Sequence, residues 1–152
     1  MTPLDYLWGL GSAHGSIRVI DVGANPIEGD APYKGLLDKG YATLTGFEPQ
    51  PEALAKLNAV KSEAETYHPN ALGAGGPATL HLYAHSGFTS LYAIRPDIAG
   101  LVGFRRATRK AGTLEVTTDR LDDVAAGPPA DYLKIHVQGT ELPIICNSRA
   151  KL

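Results

Sequence analysis

The sequence predicts an α/β fold built around a doubly wound, mainly parallel sheet. Apolar runs rich in β-branched residues, such as SIRVIDV, alternate with helical segments such as PQPEALAKLNAV, and the connections between them are short. The first run is too apolar to alternate with polar residues, which is typical of a strand covered on both faces. With 152 residues, 43% of them hydrophobic and 20% charged, the composition predicts one globular domain over residues 1–152.

The first elements are predicted from their end signals. Thr2 offers an N-cap and Pro3 a first helical position, so segment 1–16 is predicted to hold a short helix that runs to about Gly11. SIRVIDV then forms the first strand.

A second helix is predicted directly after this strand. It begins at Pro32 and is closed by Gly40, and its residues Tyr33, Leu36 and Leu37 share one face. The strand and this helix therefore form the first β-α pair of the sheet.

The pattern then repeats. ATLTGF predicts a second strand, and the following helix is expected to turn Leu54, Leu57 and Val60 toward the core. AETYHPNAL predicts a third strand that ends near Asn70.

Beyond Leu72 the rhythm changes. GAGGPATLHLYAH and TLEVTTDRLDDV predict an antiparallel insertion around residues 75–118, the second run continuing into a short helix. DYLKIHVQG then restores a central strand, with Leu133, Ile135 and Val137 on one side.

The strand ends are the predicted ligand site, because the carboxyl ends of parallel strands border the crevice of an open sheet. Asp21, Gly23 and Asn25 end the first strand, and Glu48, about 25 residues after Gly23, ends the second, which suits an acid that accepts hydrogen bonds from a ribose. The turn lacks G-x-G-x-x-G, so S-adenosylmethionine is favoured over a dinucleotide. A dinucleotide-dependent oxidoreductase is the less favoured alternative.

Five segments in order carry a family resemblance: VIDVGAN, GFEPQPEAL, TSL, RLDDV and DYLKIHVQGTEL. Together they resemble the signature segments of FkbM-type methyltransferases, S-adenosylmethionine-dependent enzymes that methylate hydroxyl groups. The similar core spans residues 17–142. The resemblance implies a Rossmann-like fold of the class I methyltransferase type, S-adenosylmethionine as cofactor, and a hydroxyl of a small molecule or sugar as the methyl acceptor.

The resemblance also implies the site residues. Ser90, in TSL, is a candidate for contact with cofactor or acceptor, although a hydroxyl there is also an ordinary turn residue. The implied cofactor-binding residues are Asp21, Gly23, Ala24, Asn25, Glu48, Pro49, Asn70 and Ala71.

His136 and Glu141 are the catalytic candidates. His136 stands where the family usually has aspartate in K-I-D-V-Q-G, and an imidazole is a suitable general base near neutral pH. The alternative is that His136 marks a damaged site. Glu141 either faces the acceptor or caps a short helix.

The tail, residues 143–152, is atypical of the family, whose members continue with further helices and strands. The sheet is therefore expected to lack its last strands, with Leu142 and Ile145 of the tail turned toward it. We expect self-association through the open edge, aggregation, or a place in a longer protein, with little methyltransferase activity of the chain by itself. A non-catalytic remnant or interaction module of the same fold is the alternative function.

Other partners are disfavoured by composition. A net charge of −2 and no long apolar run argue against nucleic acid and membrane, and the lone Cys146, expected to be a packed thiol, indicates a cytoplasmic protein. No metal is expected, since His68, His81 and His85 lack the spacing of a zinc site. The basic run FRRATRK could hold an anionic substrate group or RNA, or form a solvated surface.

Overall fold

The computed structural model describes residues 2–11, 15–25 and 29–152, and it confirms the α/β fold. The described strands form two sheets. Sheet A is parallel, with strand order β3-β2-β1-β7, and sheet B is mixed, with order β4-β6-β5. The strands are β1 (Ile17–Val22), β2 (Ala42–Phe47), β3 (Glu65–His68), β4 (Ala71–Leu72), β5 (Gly76–Tyr83), β6 (Lys110–Asp119) and β7 (Tyr132–Ile135).

The described α-helices lie between these strands or next to them. The predicted N-terminal helix is confirmed, and its first turn is closed by reciprocal hydrogen bonds between Thr2 and Asp5. The described residues include no helix that could span a lipid bilayer. The helices are α1 (Pro3–Gly11), α2 (Lys34–Asp38), α3 (Pro51–Val60), α4 (Pro96–Leu101), α5 (Leu121–Val124) and α6 (Glu141–Cys146).

One face of sheet A packs against α2. Tyr33 and Leu37 are buried against Val19 and Leu44, and Leu36 is partly buried in the same cluster. The predicted common face of this helix is therefore confirmed.

The opposite face of sheet A carries the second apolar cluster. Phe47, Leu121 and Ile144 are at most 1% exposed there, and the three side chains of DYLKIHVQG predicted to share one side pack against them. These side chains are Leu133, Ile135 and Val137.

Helix α3 is rotated relative to the prediction. Its buried stripe runs through Ala53 and Leu57, and Leu54 is only half-buried. Val60 is 83% exposed, so its predicted place in the core is wrong. Val60 is the last residue of the helix, and the extended backbone of Lys61 turns the chain away there.

The predicted antiparallel insertion is confirmed as the pairing of β5 with β6. Sheet B also includes β4, which pairs in parallel with the end of β6 through Ala71 and Thr118. Only two residues separate the end of β3 from β4, so sheet B begins almost directly after β3.

Helix α6 covers sheet A with a different face from the predicted one. Thr140, Ile144 and Ser148, spaced four residues apart, are at most 4% exposed. Leu142 and Ile145 are 69% and 45% exposed, so their predicted orientation toward the sheet is wrong. The prediction of Cys146 as a packed thiol is also wrong, because the thiol is exposed beside this buried stripe.

Strand β7 lies at one edge of sheet A, paired only with β1 among the described strands. An unpaired strand edge favours association with a second copy, and α6, whose Ile144 packs with β7, carries the exposed Leu142 and Ile145. We expect light scattering on the purified chain to give a mass above that of the monomer, and Leu142→Lys/Ile145→Lys to lower it.

Leu101→Lys/Val102→Lys is the matched control, since these residues are 83% and 60% exposed and belong to α4 and the position just after it, outside β7 and α6. A parent chain that stays monomeric at every concentration, or an equal effect of both double variants, would contradict association at this edge.

Candidate cofactor-binding and catalytic site

A cleft of about 630 Å³, including its open mouth, lies at the carboxyl ends of β1, β2 and β7. Insertion residues close one side of it, among them Thr89 and Leu91. Most of the predicted site residues meet here, as expected for strand ends that share one edge of a parallel sheet. Those that line the cleft are Gly23, Asn25, Glu48, Pro49, Asn70, Ala71, Ser90 and His136.

Gly23 forms the floor of the turn after β1. Its φ is +78°, a conformation that favours glycine, and its N–H donates to the Phe47 carbonyl at 3.0 Å. A Cβ at this position would overlap the carbonyl oxygen of His136 and lie 3.1 Å from its carbonyl carbon. Gly23 therefore allows β1, β2 and the end of β7 to meet closely. Its neighbour Ala24 is buried behind the cleft wall.

Asp21 lies beneath this turn, 1% exposed and outside the cleft wall. Its carboxylate accepts hydrogen bonds from Lys134 Nζ at 2.8 and 3.1 Å and from the Tyr33 hydroxyl. Burial raises the pKa of Asp21, and the bonds from Lys134 and Tyr33 oppose this rise. Lys134 also donates to the Gly23 carbonyl at 3.5 Å, which links the buried ion pair to the turn.

Lys134 and Tyr33 were missed as functional residues. The lysine in the middle of the apolar run DYLKIHVQG could have indicated an ion pair, because a cation in a buried strand requires a partner of opposite charge.

Glu48 brings a buried carboxylate to the cleft. It is 2% exposed, and its Oε1 accepts the N–H of Gln50 at 2.8 Å. Burial raises the pKa of Glu48, while hydrogen bonds from the Gln50 and Asn25 backbones lower it. The described cleft lining contains no lysine or arginine, so Glu48 is its dominant charge.

Asn70 is oriented from sheet B. Its Nδ2 donates to Asp119 Oδ2 at 2.7 Å, and the following Ala71 is buried by its pairing with β6. This bond fixes the link between β3 and β4 at the cleft. Asp119 was missed, since 49 residues separate it from Asn70.

Ser90 connects the insertion to the end of β7. It is 3% exposed, and its hydroxyl donates to the Gln138 carbonyl at 2.7 Å and accepts from the Tyr92 N–H at 2.9 Å. Gln138 has a φ of +53°, unusual for a residue other than glycine. Both hydrogen-bonding functions of Ser90 are thus used to hold this turn, and contact with cofactor or acceptor stays a prediction.

The two catalytic candidates lie in different surroundings. His136 is exposed at the cleft and is held in place by its backbone N–H, which donates to the Val22 carbonyl at 2.8 Å. Glu141 lies outside the cleft lining, and its Oε2 accepts the Gly139 N–H at 2.8 Å at the start of α6. Gly139 precedes the N-cap residue Thr140, so this bond closes the turn before α6 and does not cap the helix. The catalytic role of Glu141 stays a prediction.

The family model described as Methyltransferase FkbM domain matches residues 21–152, most of the chain and all of the cleft elements from Asp21 onward. The chain belongs to the FkbM methyltransferase domain family. The predicted resemblance is thereby confirmed, and membership supports methyl transfer as the reaction class. The matched range of this FkbM domain also takes in residues 143–152. Searches of curated proteins and of solved structures each found no match.

Proposed function

We propose that this FkbM-family chain transfers a methyl group from S-adenosylmethionine to a hydroxyl of a small molecule. The observation that carries the proposal is Glu48, a buried carboxylate that ends β2 in a cleft whose described lining contains no lysine or arginine. A carboxylate accepts hydrogen bonds from both hydroxyls of a ribose. The turn at Gly23 lacks the G-x-G-x-x-G that would bring backbone N–H groups to the pyrophosphate of a dinucleotide.

The residues of the cleft fit this cofactor. Glu48 would hold the ribose, Gly23 would let the backbone approach the methionine end, and Asn70 with Ala71 would border the adenine. Apolar side chains, Leu72 and Leu80 among them, supply the surface that an adenine ring needs.

S-adenosylmethionine, when bound, would supply a methyl group on a positively charged sulfur. The acceptor oxygen would attack the methyl carbon in line, with the sulfur as leaving group. The chain itself orients the acceptor, excludes water and removes the hydroxyl proton. His136 is the one histidine in the described lining of the cleft, and its side chain is exposed. Its imidazole would accept the proton of an incoming hydroxyl.

Replacing Glu48 tests cofactor binding. We expect Glu48→Ala to lose about 1.5–3 kcal/mol of affinity for S-adenosylhomocysteine, about 10- to 150-fold, because the ribose hydroxyls lose a charged acceptor. Burial raises the pKa of Glu48, so its carboxylate is protonated at a higher pH than that of an ordinary glutamate. On acidification, the cofactor affinity of the parent should therefore begin to fall at that higher pH. Titration calorimetry at several pH values measures both effects.

Glu48→Gln separates binding from folding, because its amide oxygen still accepts the Gln50 N–H without the cost of a buried charge. We expect an unchanged or higher Tm with weakened cofactor binding. Glu63→Gln, at an exposed position, is the matched control. Parent-like affinity in both Glu48 variants would exclude the ribose role.

Replacing His136 tests the chemistry. We expect His136→Ala to lose about 100-fold or more in turnover with labelled S-adenosylmethionine and a panel of hydroxyl acceptors, while binding S-adenosylhomocysteine like the parent. The presence of histidine where the family usually has aspartate favours the non-catalytic remnant as second candidate. Faster turnover in His136→Asp than in the parent would identify a damaged site and exclude the general base.

A further inference from the structure

A second cleft lies outside the cofactor site. It measures about 1410 Å³ including its open mouth, and it is formed by β5, the segment before α4, and residues 105–110. The four basic residues of FRRATRK all line it: Arg105, Arg106, Arg109 and Lys110. The described lining contains no acidic residue. We propose that this cleft binds the phosphoryl group of a small molecule.

Within the part of the chain that the structure describes, no ion pair compensates the charge of the cleft. The six ion pairs of the described residues involve other cations. One of these cations is the neighbouring Arg95, whose Nη2 lies 2.6 Å from Asp97 Oδ2. Four positive side chains in one concavity raise the local concentration of anions. The planar guanidinium groups match phosphate oxygens two at a time.

The basic segment is held in a defined conformation. The Thr108 N–H donates to the Phe104 carbonyl at 2.9 Å, and the Arg109 carbonyl accepts the Ala84 N–H of the β5 end at 2.9 Å. Arg105 lies over α4, where a Cβ added to Gly100 would be 3.2 Å from its Nη2. The backbone is thus ordered before an anion arrives, which reduces the entropy lost on binding.

An apolar wall faces the cations. Tyr83, Ile94 and Pro96 form it, and the Tyr83 hydroxyl accepts the Ile94 N–H at 2.8 Å, so the wall is tied to β5. A phosphoryl group beside apolar surface suits a phosphorylated small molecule. RNA is less favoured, because the described lining holds two aromatic rings, those of His81 and Tyr83, and Tyr83 is only 9% exposed. Single-stranded RNA needs several accessible stacking surfaces.

The test uses the full chain and titration calorimetry with inorganic pyrophosphate, and with glucose 6-phosphate against glucose. We expect saturable binding of pyrophosphate and glucose 6-phosphate but not of glucose. In Arg106→Gln/Arg109→Gln we expect at least tenfold weaker binding.

Lys61→Gln/Arg149→Gln is the matched control, with the same change of charge at exposed positions outside the cleft. It should bind pyrophosphate within twofold of the parent. No saturable binding by the parent, or equal losses in both double variants, would overturn the proposal.

Two further measurements complete the test. The small-molecule assignment would be overturned by a single-stranded RNA that binds the parent more tightly than pyrophosphate does and no longer binds the cleft variant, Arg106→Gln/Arg109→Gln. S-adenosylhomocysteine should bind the cleft variant like the parent, since Arg106 and Arg109 lie outside the cofactor cleft. Pyrophosphate binding without S-adenosylhomocysteine binding would refute the proposed methyl transfer and leave this inference standing.

Discussion

Lys134→Met is expected to lower the free energy of unfolding by about 3–5 kcal/mol, because it leaves the Asp21 carboxylate buried without its cation. Asp21 is 1% exposed and would keep only the Tyr33 hydroxyl as a side-chain donor. Urea unfolding at neutral pH measures the loss. The turn at Gly23 would also lose the Lys134 hydrogen bond to its carbonyl.

The pH dependence of this loss has a definite sign. Burial raises the pKa of Asp21 in the folded state above its unfolded value, so ionisation of Asp21 costs stability as the pH rises through that interval. Without Lys134 the pKa should rise further. The difference between variant and parent should therefore shrink as the pH falls toward the unfolded pKa, since a protonated Asp21 needs no cation.

Lys34→Met is the control for this substitution. Lys34 pairs with Asp38 on the surface, with side chains 47% and 57% exposed, and such a pair contributes about 0.3–0.5 kcal/mol. Asp21→Asn/Lys134→Met should recover part of the stability by removing the unpaired charge. A loss in Lys134→Met no larger than that in Lys34→Met would contradict a structural ion pair.

Gly23→Ala is expected to cost about 2–5 kcal/mol of stability, about 1–2 from a side chain at positive φ and about 1–3 from the overlap with His136. The overlapping atom belongs to the backbone, so β7 must move for a Cβ to fit. We also expect weaker binding of S-adenosylhomocysteine, because the cleft floor moves with it. Urea unfolding and titration calorimetry measure the two effects.

Gly40→Ala isolates the role of close approach. Gly40 has a similar φ of +69°, but a Cβ there would meet nothing within 4 Å. We expect it to cost only the conformational part, about 1–2 kcal/mol, and to leave cofactor affinity unchanged. Equal losses of stability in the two variants would show that the contact with His136 carries no weight.

Local signals account for the elements that were predicted well. The Thr2 cap, the prolines at helix starts and the apolar run of β1 each act within a few residues, so α1 and the strands of sheet A could be identified without their partners. The short helix α6 could not be oriented in this way. Its six residues contain apolar side chains on more than one face, and only packing against Leu121 and β7 selected Ile144.

Local patterns predicted the α/β class, the family and the strand-end residues of the cleft, because strand ends meet at one edge of a parallel sheet. Which charges are neutralised depends instead on contacts between distant parts of the chain. Asp21 and Lys134 are 113 residues apart, and their contact exists only because β1 and β7 are neighbours. The four cations of FRRATRK likewise line a cleft only because their segment pairs with the end of β5, through the hydrogen bond from the Ala84 N–H to the Arg109 carbonyl. Charge compensation depends on distances in space, which no local pattern encodes.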